Sequence, residues 1–391
     1  MSEITKDRAT SPKNIRTKLF AVITVVLWAG MSVFLLGMLS RPVAGTTTSN
    51  VRTNITEDFE NMLMKKMSDI IEIDCGDQVW SSTKRTYSLS DQDMVAPEPN
   101  PACYGTVEDP KEMAAVLLEA QELLDVQETL FTPEIEIMEG SQIRYYLDET
   151  IFAVTWKQVM DGSVYTFSEV KVAHVSQFRR FLADGKYGAT AEYTTQEMAS
   201  SVNAVVGSSG DYYGNRLVGL CVDQGTVYRD DALNLDTCFV DENGDLLFLH
   251  RGTYMDEEAV QAFVEEHKVR FSLSFGPIMI EDGQSVVQGY YPIGEIQGYY
   301  PRAALCQMGT LHYVTVVSNY EKPEYTAMHT MGQFARNLLE LGITKAYALD
   351  GGQTATIVMN DQVINEVSYG AQRKISDIIY FATAIPEDEW E

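Results

Sequence analysis

The chain has little positive charge. Lys and Arg number 29 against 56 Asp and Glu, a formal net charge of −27 over 391 residues. A surface this acidic excludes nucleic acid as the expected partner. Any anionic substrate must then be held by a local basic cluster working against the mean field. Cysteine is also scarce. Cys75, Cys103, Cys221, Cys238 and Cys306 include no C-x-x-C pair and no zinc-ligand spacing, so no metal site is expected and no cofactor is called for. Their odd number leaves at least one thiol free in a monomer, with Cys75 and Cys103 open to a disulfide outside the membrane. The histidines (His174, His250, His267, His312 and His329) stand in no recognisable arrangement with a cysteine. Each is read first as structural or surface, and His329, just before a capped helix, is the one worth testing. Repeats and low-complexity blocks are absent.

One stretch lacks charge altogether. Residues 19–40 are rich in Val, Leu, Phe, Ile and Met and are long enough to cross a hydrocarbon core of roughly 30 Å as a helix. Lys6, Arg8, Lys13, Arg16 and Lys18 precede the run, and Arg41 and Arg52 follow it. The positive-inside bias puts 1–18 in the cytoplasm and the remainder outside the cell membrane, as a single-pass protein. The alternative is a cleaved signal peptide, with Pro42-Val43-Ala44-Gly45 as the cleavage region. Residues 41–140 read as a juxtamembrane stalk and helical spacer, with amphipathic helices expected over 59–73 and 109–124. The texture turns to strands from residue 143. Residues 141–391 are therefore expected to form one extracytoplasmic α+β domain of mixed β-sheets with packed helices.

The most informative stretch is 346–359. Ala346-Tyr347-Ala348-Leu349 reads as a buried strand. It ends on Asp350, followed by Gly351 and Gly352, which allow a sharp turn and close approach of a ligand. Thr354 adds a hydroxyl. Just upstream, Thr330-Met331-Gly332-Gln333 is a capping box opening a helix that Gly342 ends. A second glycine-rich strand end lies at Gly207-Ser208-Ser209-Gly210-Asp211-Tyr212-Tyr213-Gly214-Asn215-Arg216. Paired tyrosines beside an acid suit stacking on a sugar face. Other local signals are a hairpin at Asn243-Gly244, a strand over 271–280 interrupted by Phe275-Gly276-Pro277, and a hairpin at Asn360-Asp361. Arg302, beside apolar residues, is either a structural cation or an anion anchor whose planar fork suits phosphate.

Several of these blocks, in this order, resemble the phosphodiester glycosidase domain family, which includes bacterial relatives labelled for exopolysaccharide biosynthesis. They are Gly210-Asp211-Tyr212-Tyr213, Phe275-Gly276-Pro277, Pro301-Arg302-Ala303-Ala304, Leu349-Asp350-Gly351-Gly352-Gln353-Thr354 and the late Arg373. The resemblance covers about residues 194–384. Gln353 replaces a family Gly, and Thr354 replaces a Ser while keeping its hydroxyl. Ala303 replaces a Thr, and Cys306 a Gly. The resemblance implies hydrolysis of a sugar-1-phosphodiester of the GlcNAc-1-phosphate type, or of a phosphorylated polysaccharide. Arg302, with Arg216 or Arg373, would hold the phosphate. The N–H groups of Gly351 and Gly352, with Thr354, Tyr212 and Tyr213, would bind substrate. Asp350 or Asp211 would activate water or stabilise an oxocarbenium-like centre, and the sequence leaves the choice between them open. It also leaves open a cation shared by the two acids, a glycosyl transferase, and a non-catalytic carbohydrate-binding protein assisting envelope polysaccharide assembly.

Overall fold

Hydrophobic alternation explains most of the architecture. In the computed structural model, described for residues 87–91, 93–292, 296–321 and 323–390, a nine-stranded sheet forms the spine. Its spatial order is Tyr104–Val107, Ile143–Leu147, Ile151–Met160, Ser163–Val172, His312–Asn319, Arg302–Gly309, Lys345–Leu349, Ile278–Glu281 and Gln284–Ser285. Every neighbouring pair is antiparallel. The central strands are apolar on both faces because both are covered. Ala304, Cys306, Ala346 and Ala348 face one core with Phe334, Ala335 and Leu338 of helix Met331–Glu340 and with Leu117 of helix Ala114–Leu124. Ala303, Leu305, Tyr347 and Leu349 face the other. Each of these large side chains contributes about 1.5–3 kcal/mol on burial.

Two five-stranded sheets close the second face. One runs Gln362–Val363, Ile357–Met359, Val206–Ser209, Asp377–Phe381, Phe178–Leu182, and the other Leu246–Leu249, Thr237–Val240, Phe271–Leu273, Leu220–Asp223, Thr226–Asp230. Both are antiparallel throughout. The capping boxes at Thr194 and Thr330 open helices Thr195–Ser201 and Met331–Glu340. The Asn360-Asp361 turn has both residues at positive φ, as a tight hairpin requires.

Residues 85–391 form one compact unit. The stretch expected as a spacer contributes to it, since Tyr104–Val107 is an edge strand of the large sheet and Met113, Leu117, Ala120 and Leu124 enter its core. Arg302, beside its apolar neighbours, opens a strand paired with 312–319 on one side and 345–349 on the other. The cytoplasmic tail, the apolar run 19–40, the 59–73 helix and Cys75 lie outside the described residues. Among the described residues no helix is long and apolar enough to cross a membrane, and Cys103, Cys221, Cys238 and Cys306 are free thiols.

Candidate active site

Two strand ends from different sheets meet here. Val206–Ser209 runs into Gly210 and Asp211, and Lys345–Leu349 runs into Asp350. The Asp350 N–H donates to the Gly210 carbonyl at 3.2 Å, and the Ser209 hydroxyl donates to the Asp350 carbonyl at 3.3 Å. Asp350 is 7% exposed. Its carboxylate accepts from Arg373 Nη2 at 2.5 Å. Burial pushes the Asp350 carboxyl above the ordinary Asp range, while Arg373, the Thr354 hydroxyl and Arg216 pull it back.

Around this carboxylate the chain gathers cations and one aromatic. Tyr212 sits at φ +68°. The guanidinium carbons of Arg373 and Arg216 lie 4.7 Å and 5.3 Å from the centre of its ring. Arg216 also covers the Phe275 ring at 4.3 Å. The next residue, Gly276, sits at φ +72° against Tyr291, where a Cβ would collide with the tyrosine hydroxyl. Arg216 Nη1 is buried and has no hydrogen-bond partner among the described residues. Burial lowers the Arg216 pKa, and Asp350 and Asp211 oppose that. The local sum of Asp350, Arg216 and Arg373 is one positive charge in a strongly acidic protein.

The two carboxylates read from the sequence have different surroundings. Asp211 is fully buried, and its oxygens accept from Arg180 Nη2 at 2.9 Å, Tyr213 N at 2.8 Å and Ser274 N at 2.8 Å. Arg180 also binds Asp377 at 2.9 Å, donates to the Ser272 carbonyl at 2.6 Å, and is itself shielded from solvent. The Asp211 N–H donates to the Asp377 carboxylate. Desolvation and the Asp211 charge raise the Asp377 pKa. Asp211 is thus a fully engaged member of an Arg180–Asp211–Asp377 cluster rather than an exposed acid.

Arg302 differs from expectation too. It is 7% exposed. Its Nε donates to the His329 carbonyl at 3.0 Å and its Nη2 to the Gly298 carbonyl at 2.6 Å. Its guanidinium lies 5.5 Å from the Tyr300 ring. The fork that suits phosphate in the sequence is engaged by the main chain. His329 sits behind it, with Nδ1 2.7 Å from the Tyr165 hydroxyl. Gly352 N–H, expected to face substrate, donates to the Pro301 carbonyl at 3.0 Å. The Thr354 hydroxyl donates to the Gly351 carbonyl at 2.7 Å. A Cβ on Gly351 would lie 2.6 Å from the Pro301 oxygen, so glycine is required there. Tyr213 turns inward, its ring 5.1 Å from the Arg180 guanidinium and 5.5 Å from Tyr187.

The structure therefore brings together Asp350, Gly351, Thr354, Tyr212, Arg216 and Arg373. It sets Asp211 and Tyr213 one layer behind, and turns the Arg302 side chain to the carbonyls of residues 298 and 329. Sequence reading missed Arg180 and Asp377. The available signal was a pair of cations, Arg179-Arg180, inside the otherwise apolar strand Phe178–Leu182.

A sequence profile for phosphodiester glycosidases matches residues 182–382, which include the whole Asp350 cluster. An uncharacterized SPbeta prophage-derived protein, YomE, of Bacillus subtilis strain 168 is 24% identical over 211 residues, 52% of this chain and 31% of that protein. The chain thus spans about a third of the length of that curated relative. The zebrafish N-acetylglucosamine-1-phosphodiester alpha-N-acetylglucosaminidase catalytic domain, auto-inhibited by its pro-peptide, is 15% identical with a TM-score of 0.47, over 67% of this chain and 93% of that one. A hypothetical protein from Synechocystis is 14% identical with a TM-score of 0.41, over 59% of this chain and 62% of its own.

Proposed function

Because the chain belongs to the phosphodiester glycosidase family, we propose that it is a hydrolase of sugar-1-phosphodiesters of the GlcNAc-1-phosphate type. We place it in envelope or exopolysaccharide metabolism, anchored by residues 19–40 with its catalytic domain outside the cell. The observation that carries the reading is Arg216 Nη1, a buried donor without a hydrogen-bond partner among the described residues, beside Asp350. An unmet buried donor costs about 1–3 kcal/mol, and a phosphodiester oxygen would satisfy it. A singly charged phosphodiester would also neutralise the single net charge of Asp350, Arg216 and Arg373.

In this reading Arg216 and Arg373 bind the phosphate. Arg373 then shares its bond to Asp350 with the substrate, which leaves the Asp350 carboxylate to activate water or to stabilise the oxocarbenium-like centre. A phosphate leaving group needs less protonation than a sugar alkoxide, so the arginines take over part of the general-acid role. Asp211 positions the turn carrying Tyr212 and Arg216. A binding protein is the rival reading, supported by the Arg373–Asp350 bond that already engages the carboxylate.

The test incubates the full-length chain with UDP-GlcNAc and a simple GlcNAc-1-phosphodiester, following free sugar by NMR. Asp350→Asn is expected to abolish release, and Arg216→Ala to lower kcat/KM by about a hundredfold. Release untouched by Asp350→Asn would refute the role given to it, and saturable binding without release would favour the binding protein. Protease accessibility of the C-terminal region in intact cells checks the topology, and protection there would refute it.

A further inference from the structure

A cavity of about 400 Å³, within the range of small-molecule sites, opens beside Arg180. It lies among the 223–226 turn, the C-terminal end of helix Glu257–Glu266 and strand Phe271–Leu273. None of Asp350, Tyr212, Arg216 and Arg373 lines it. Val264, Val269 and Phe271 supply its apolar wall. The cations around it are already engaged. Arg180 is held by Asp211 and Asp377, and Arg270 by Asp91 at 2.6 Å. Arg179 turns both terminal nitrogens to the main chain, at 3.2 Å from the Ser90 carbonyl and 2.6 Å from that of Asp93. Lys268 reaches Glu242 at 2.7 Å.

Asp223 is the exception. It closes strand Leu220–Asp223 and is half-buried. No described residue donates a hydrogen bond to its carboxylate. Burial raises its pKa, although Arg180 and Arg179 oppose that. A carboxylate withdrawn from water calls for a donor. The neighbouring helix end has the same sign. Glu265 and Glu266 stand in the last turn of helix Glu257–Glu266, which carries no basic residue. That is the negative end of the helix dipole, where a cation is favoured, and Glu265 lines the cavity with Asp223. A metal ion lacks ligands here, since among the described residues no three His, Cys, Asp or Glu side chains gather to hold one. The cation that fits brings donors for Asp223 and a short hydrocarbon body for Val264, Val269 and Phe271. We propose that this cavity binds a small organic ammonium ion, its nitrogen on Asp223 and its alkyl part against the apolar wall. The site stands independently of the glycosidase reading.

The experiment titrates the full-length chain with butylammonium, and with butan-1-ol as its uncharged counterpart, followed by ligand-observed NMR. Salt at about 0.15 M screens long-range attraction to the acidic surface. Butylammonium is expected to bind saturably at one site, and butanol at least roughly tenfold more weakly. Asp223→Asn keeps the shape of the side chain and should weaken butylammonium by about tenfold or more. Glu265→Gln, at an exposed helix position, should weaken it by about two- to threefold, and reads the same site without touching the sheet. Glu258→Gln, in the first turn of the same helix, should change nothing. Equal binding of butanol, equal losses in Glu258→Gln and Asp223→Asn, or affinity untouched by Asp223→Asn would overturn the ammonium site, as would the absence of saturable binding. Inorganic phosphate bound there instead, and lost in Lys268→Ala, would make the cavity an anion site and equally refute the proposal.

Discussion

At the scale of the residue, the two acids show what a sequence can and cannot carry. An acid at a strand end followed by two glycines is a local pattern, so Asp350 is legible as a site candidate. The difference between Asp350 and Asp211 is not local. Asp211 is engaged by Arg180, 31 positions away, and by Ser274, 63 positions away, and only the folded sheets make those neighbours. The same holds for Arg302, whose fork closes on carbonyls of residues 298 and 329. For Asp350 the electrostatics give a signed prediction. Arg373 pulls down a pKa that burial raises. If Asp350 acts ionised, activity falls as pH drops through that pKa. Arg373→Ala removes the opposing cation, so the acid limb of kcat/KM should move to higher pH, by about one unit or more. The shift is separable from any fall in the plateau. A pH profile that keeps its acid limb in place would show that Asp350 does not titrate in the rate-determining chemistry.

At the scale of the element, local chemistry again decides what is readable. The Thr330–Gln333 capping box and the Asn243-Gly244 hairpin are specified within a few residues and form as expected, and the Thr194–Glu197 capping box is equally local. Strand Arg302–Gly309 is poor in β-branched residues, and it is a strand because it is held between 312–319 and 345–349. Strand Phe178–Leu182 carries Arg180 into the core, where one cation faces two carboxylates. Removing it by Arg180→Met leaves Asp211 and Asp377 buried against each other, and the loss should be about 3–5 kcal/mol. The pH dependence has a definite sign. Asp377 already binds its proton more tightly folded than unfolded, so its contribution to stability is present at low pH and fades as pH rises through the folded pKa. Without Arg180 that pKa rises further. Denaturant midpoints of Arg180→Met should therefore be lowest at high pH and recover on acidification. A deficit equal at both pH values would mean that the cluster is held by packing rather than charge.

At the scale of the whole molecule, the α+β class is legible because helical and alternating periods are both present. The partition into three sheets is not, since it depends on strands pairing across long sequence separations, as 178–182 does with 377–381. Net charge, by contrast, is additive and needs no fold, and it bears on the proposed substrate. A field from −27 charges repels an approaching phosphodiester, while Arg216 and Arg373 attract it only at short range. Salt screens the two unequally. The Debye length shrinks from about 30 Å at 0.01 M to about 8 Å at 0.15 M, so distant surface repulsion is removed well before the partly buried arginine contacts weaken. Over that range kcat/KM for a charged sugar-1-phosphodiester should therefore rise, and more steeply for the doubly charged UDP-GlcNAc than for a singly charged diester. An uncharged aryl glycoside serves as control and should stay flat. A monotonic fall for the charged substrates would mean that the two arginines govern approach as well as binding, and that the acidic surface lies too far from the entrance to matter.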